Sequence, residues 1–173
     1  MTMAETLTVL KTRRSIRAYK PDPVEQEKRN AIIEAGTYTA IGMGKQSPLL
    51  LVIKNQEIRD KLKKCNAAVM GVDMDLFYGE SELLVVLANK DVPYLYDGSL
   101  VMGNRMNAAA DLGVASCWIH RSKEEFESEE GRAVLSKLGI EGNYEGIGNL
   151  ALGYAVALAG KALPRKDIYV YRV

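Results

Sequence analysis

Four short apolar runs, at residues 49–53, 83–88, 114–119 and 147–154, limit the folds open to this chain. Each is a compact stretch of mostly aliphatic side chains that reads as a strand buried in a sheet. A further segment, 168–173, alternates well enough to be a last strand. Segments with helical character lie between them. Residues 5–11 read as a short opening helix. Asp22, Pro23 and Glu25 offer an N-cap, a proline at the first helical position and an acid three residues on. A helix is expected from there toward Gly36, with Ala31, Ile32 and Ala35 inward. Asn55 caps another to about Lys64, with Ile58 and Leu62 on its inner face. Asp97 is expected to cap the longest and most apolar helix, which passes through Leu100, Met102, Met106 and Ala109 to a left-handed Gly113. Residues 123–138 read as a helix ended by Gly139, with the acids from Glu124 to Glu130 forming a solvated face. Strands and helices interleave, so an α/β or α+β single sheet flanked by helices follows.

The chemistry-bearing residues concentrate near the start of the chain. Arg13, Arg14 and Arg17 crowd together with Ser15 just after the first helix. A guanidinium group is a planar fork of donors that stays charged and suits phosphate and carbonyl oxygens. In an extended segment Arg13, Ser15 and Arg17 share one face, while Arg14 points away. That face can grip an elongated anionic ligand at several points. Alone, such a cluster reads more readily as a solvated basic turn, but that reading must also account for Pro164, Arg165 and Lys166, which echo it at the far end. Residues 1–30 carry seven Lys or Arg against four Asp or Glu, and residues 161–173 four against one. The whole chain is only +1, so the middle is mildly acidic. Two small basic clusters fit a discrete phosphate, whereas a nucleic-acid binder would carry a basic stripe and a high isoelectric point.

With 173 residues the chain has the length of one domain, and no run is long and apolar enough for a membrane span. No apolar signal region opens it, so a cytoplasmic, reduced protein is the expectation. Cys65, Cys117 and His120 lack the spacing of a zinc site. Ser15 and Ser99 have no His or Asp partner at the spacing of a hydrolase triad, and the glycine-rich nicotinamide fingerprint is absent.

Several stretches taken in order resemble the nitroreductase family of FMN-dependent oxidoreductases. Arg13-Arg14-Ser15-Ile16-Arg17 resembles its opening motif, and the segment from Ala40 to Pro48 the loop before its first main strand. Asp97-Gly98-Ser99 and the run from Leu112 to Ile119 resemble its central helix and following strand. Leu152-Gly153-Tyr154-Ala155, with Pro164-Arg165-Lys166, resembles its closing strand and tail. This chain departs from the family at Gly44, where many relatives carry Asn, and at Glu80-Ser81, where Ala-Pro is common.

The resemblance implies one α+β domain over residues 1–173, with a single central mixed sheet flanked by helices. It implies FMN as cofactor and NAD(P)H as electron donor. Hydride would pass by alternating, ping-pong turnover to a nitroaromatic, quinone or similar small-molecule acceptor. A flavin-binding sensor or carrier without turnover is the alternative. Arg13 and Ser15 would hold the FMN phosphate, joined by Arg165 or Lys166, with Arg14 and Gly153 also in the cofactor-binding set. Arg17 would face the pyrimidine edge of the flavin, where a cation favours the reduced state. Gly44 and Gln46 would approach the same ring, and Trp118, Ile119 and His120 would pass main chain beside flavin N5. No side chain is assigned a catalytic role. The resemblance further implies a homodimer with FMN at the subunit interface, and neither nucleic acid nor membrane as partner.

Overall fold

The computed structural model describes residues 3–90 and 94–172. The chain forms α1 (Met3–Thr12), α2 (Gln26–Thr37), β1 (Leu49–Ile53), α3 (Gln56–Val69), β2 (Glu82–Asn89) and α4 (Tyr94–Asp111). β3 (Ala115–Ile119), α5 (Ser122–Glu127), α6 (Glu129–Lys137) and β4 (Tyr144–Gly153) complete it. All four apolar runs are strands, and they lie in the order β1-β2-β4-β3. The fold class is the α+β single sheet expected. Its three strand pairs are all antiparallel where a mixed sheet was expected, and the parallel contact is an isolated bridge between Ser15 and Ser116 outside the named strands.

β2 shows why its run is unbroken. Leu83, Val85 and Leu87 face one core, with Leu62 of α3, Phe126 of α5 and Val134 of α6. Leu84, Val86 and Ala88 face the other, with Ile32 of α2 and Val101, Met102 and Ala109 of α4. Both faces are dry, so both sets of alternating positions must be apolar. β4 carries a bulge: the register passes from Val86–Gly148 to Leu87–Gly146 and leaves Ile147 as the extra residue.

Four expectations about the elements need correction. Asp22 does not cap α2. The helix starts after Glu25, whose side chain makes no cap bond, so Pro23 lies outside it. Asp97 lies inside α4, which already begins at Tyr94, and its buried carboxylate is used elsewhere. The helix expected over 123–138 is two helices broken at Ser128, whose hydroxyl accepts from Gly131 N at 3.0 Å and caps α6. The tail forms no strand over residues 168–172, which are exposed coil; Val173 lies outside the described residues. Asn55 does cap α3, accepting from Ile58 N at 3.0 Å.

Candidate active site

α1 delivers the basic cluster to the sheet edge. After Thr12 the chain crosses to β3, where Ser15 bridges Ser116 and Ile16 N donates to Ser116 O at 3.0 Å. Arg13 and Arg14 thereby border a cleft of about 580 Å³, closed by Lys20, Gly113, Ser116 and the tail from Ala155 to Ala159. Three cations line it, and no carboxylate does among the described residues. Arg13 Nη1 is buried without a hydrogen-bond partner there, as is Arg14 Nε. Arg14 Nη1 turns back to donate to Lys11 O at 2.8 Å and Arg13 O at 2.7 Å. Arg13 Nη1 and Arg14 Nε are thus without a hydrogen-bond partner on the chain itself. Lys20 was not singled out from sequence, though it follows Arg17 by only three positions.

β3 continues from this cleft toward His120. It is an edge strand, and among the described residues its outer side is bridged only at Ser116. The four steps from Ser116 to His120 span about 13 Å at strand rise. Arg17 lies along this stretch, exposed, with its guanidinium 6.0 Å from the centre of the Tyr78 ring. Burial pushes the Cys117 thiol above its usual range, against the opposing pull of Arg17, the Ser15 hydrogen bond and Arg13. Such a thiol is a packing group. Trp118 turns its indole over Gly148, Ile119 is buried in the opposite core, and the His120 side chain is exposed.

The other predicted residues lie elsewhere. Met43, Gly44 and Gln46 all have left-handed backbone in a tight loop. Asp97 anchors that loop by accepting from Gly42 N at 3.1 Å. Gln46 borders a small cavity of about 120 Å³ with Ile41, Pro48 and Leu50 of β1. This loop therefore sits beside β1, at the opposite edge of the sheet from β3. Gly153 is buried where a Cβ would come within 2.9 Å of the Tyr19 ring. Arg165 spends Nε and Nη2 on Leu163 O, at 3.2 and 2.7 Å, and Lys166 Nζ sits 5.2 Å from the Tyr169 ring centre. Neither lines the cleft. The structure thus brings Arg13 and Arg14 together, extends Ser15 and Arg17 along β3, and keeps Gly44, Gln46, Arg165 and Lys166 apart from them.

A buried polar cluster at the far end of β3 was missed from sequence. Glu125 was expected on a solvated face, yet it is fully buried together with Asn66 and Asn149. Asn149 Nδ2 donates to both Glu125 oxygens, at 2.9 and 2.7 Å, and Asn66 Nδ2 donates to Oε1. Burial pushes the Glu125 carboxyl up to about 8, because two amides offset little of the lost hydration. The readable signal was Gly146-x-Gly148-Asn149: glycines inside a strand mark the close approach of other groups. A Cβ at Gly146 would lie 2.2 Å from Ser122 O.

Comparison with known proteins now bears on this geometry. The model of the Nitroreductase family matches residues 10–72, which include the basic cluster and the loop of Gly44 and Gln46. A nitroreductase with bound FMN from Bacteroides fragilis is 28% identical, superposes with a TM-score of 0.87, and is matched over 98% of both chains. A nitroreductase with bound FMN from Desulfitobacterium hafniense is 26% identical, with a TM-score of 0.86 over 99% of this chain and 100% of that one. Over residues 10–72 the chain is similar to the nitroreductase family, and over nearly its whole length to solved nitroreductases with bound FMN. An FMN-dependent nitroreductase from Clostridium difficile, 22% identical with a TM-score of 0.80 over 97% of this chain and 98% of that one, shares the fold. No curated protein matches. Among the described residues, no helix is long and apolar enough to cross a membrane.

Proposed function

We propose that the chain is an FMN-dependent oxidoreductase that takes hydride from NADH or NADPH and reduces a small acceptor such as a nitroaromatic or quinone. The observation that carries the reading is the acid-free cleft with a buried, unpartnered Arg13 Nη1 at the start of an open strand edge. A phosphate dianion supplies what such donors lack, and about 13 Å of free strand edge suits a flat ring on a ribityl arm. The residues present therefore fit FMN.

Arg13 and Arg14, with Ser15 and Lys20, would hold the phosphate. Arg165 or Lys166, which do not line the cleft, would add a cation only through a rearrangement of the exposed tail, and Gly153 would keep Tyr19 packed beneath the site. Arg17 would stand at the pyrimidine edge, where a fixed cation favours the reduced ring. The main chain of Trp118, Ile119 and His120 would lie along the ring near N5. When bound, FMN supplies the two-electron chemistry, accepting hydride from the donor and passing it to the acceptor in alternation. The protein contributes binding, orientation and exclusion of water. One open face serves donor and acceptor in turn.

Gly44 and Gln46 fit this reading through a homodimer. They sit three strand spacings from β3, about 14 Å, on the far edge of the sheet. A second copy would bring its own loop over the cleft and place the flavin at the interface. Apolar side chains left exposed support such a partner: Leu95, Tyr96 and Leu100 on α4, and Leu158, Leu163 and Ile168 on the tail.

The test is the visible spectrum of the purified protein before and after NADH or NADPH, without air. A flavin spectrum that bleaches rapidly supports the reading. A flavin spectrum that persists assigns the protein to flavin storage or sensing, and a protein that takes up no FMN overturns the assignment.

A further inference from the structure

The turn that ends β3 is held in an unfavourable backbone conformation by side chains with no other task. Arg121 has φ 73°, a left-handed value that a branched-out L side chain rarely adopts, and α5 begins directly after it. Asn66, from α3, grips this turn on both sides. Its Nδ2 donates to His120 O at 2.7 Å, and its Oδ1 accepts from Arg121 Nε at 3.0 Å. The amide orientation follows from these two partners, since the His120 carbonyl requires the donor end and the Arg121 guanidinium the acceptor end. Glu125 and Asn149 then fix Asn66 from below, with all three side chains fully buried. Asn149 lies directly across the ladder from Ile119, and Gly146 admits the Ser122 carbonyl. A strained turn persists only where its surroundings over-determine it. Here three elements, α3, α5 and β4, converge on two peptide units.

We propose that Asn66, braced by Glu125, is a positioning residue that sets where the His120–Arg121 main chain meets the flavin. The inference rests on the FMN reading above and deepens it: those peptide units end the strand edge along which the ring would lie. Asn66 touches no part of the cofactor itself. It acts through the carbonyl of His120.

The test compares Asn66→Ala with Asn55→Ala in the full chain reconstituted with FMN. Both weaken α3, the second by removing its N-cap bond to Ile58 N, but only the first releases the turn. Asn66→Ala is expected to retain bound FMN, to be reduced by NADH about tenfold more slowly, as suits a misplaced reacting geometry, and to show a displaced flavin reduction potential. Asn55→Ala is expected to lower the melting temperature while leaving rate and potential near wild type. Equal effects of the two substitutions, or an unmoved potential in Asn66→Ala, would overturn the proposal. Without FMN, ¹⁵N relaxation of the wild-type protein supplies a second measurement that survives a misfolded variant. Order parameters of about 0.85 at His120 and Arg121 are expected, and values below about 0.6 would contradict a pre-set turn. Wild-type protein that binds no FMN overturns the underlying reading and this inference with it. FMN binding with an indifferent Asn66 overturns this inference alone.

Discussion

Arg13 and Glu125 are opposite solutions to one physical problem, a polar side chain removed from water. Arg13 lines the cleft and has one buried nitrogen, Nη1, without a partner, a loss that a bound anion would offset. Arg13→Ala is expected to weaken FMN binding by more than ~1 kcal/mol, read from flavin fluorescence quenching during titration. Unaltered affinity would remove the phosphate from that wall. Glu125 instead recovers its loss by keeping a proton. Its carboxyl is raised from 4.5 to about 8, so from pH 4.5 to about 8 the native state binds a proton that the unfolded state has released. Stability from this group is complete below 4.5 and declines as pH rises through that window. Glu125→Gln is expected to flatten the decline, seen as a smaller difference between urea midpoints at pH 5 and pH 8. A decline of unchanged steepness would show that Glu125 is not its source. This residue also marks the limit of the sequence. Glu124, Glu127, Glu129 and Glu130 are exposed as their composition implies, and nothing local sets Glu125 apart. Its burial is decided by Asn66 and Asn149, which are distant along the chain.

Among elements, strands were more legible than helix starts. β1 matches its apolar run to the residue, and β2 and β4 extend theirs by a few positions, because burial on both faces dictates composition directly. Asn55 was legible as a cap because its short side chain reaches Ile58 N. Asp22 and Asp97 carry the same type of signal and are used differently. Asp22 lies four positions before the first residue of α2, and Asp97 serves the Gly42 loop from within α4. A cap signature records what a side chain can accept, and the tertiary fold selects the donor. The glycines of β4 are the least local feature, since they accommodate α5 and the Trp118 indole. Gly146→Ala is therefore expected to cost about 1–3 kcal/mol in urea unfolding, the usual penalty of overpacking against backbone that does not yield. A cost near zero would mean that the β3–α5 corner is free to shift.

For the whole molecule, the basic cleft and the Gly44–Gln46 loop at opposite sheet edges make the proposed site composite. An Arg13→Ala protomer paired with a Gln46→Ala protomer is expected to contain one site with both defects and one with neither. Refolding the two variants together should restore tight flavin binding that neither recovers alone. Failure to complement, in a mixture verified as dimeric, would place all flavin contacts within one protomer. The basic cluster was legible but its faces were not: Arg14, expected to point away, lines the cleft with Arg13, while Ser15 and Arg17 do not. The separation of this cluster from the Gly44–Gln46 loop was not legible either, because strand order is a property of the assembled sheet and not of any local motif.

An edge strand bridged at one point is also a surface on which another chain can polymerise, since its free peptide groups accept any extended segment. On the proposed reading, a flavin lying along β3 would occupy that surface and, by binding only the native state, would deepen the native well with the logarithm of its supply. The yield of usable protein in a cell would then be tied to flavin availability: chains synthesised ahead of the cofactor would be the ones exposed to aggregation and clearance.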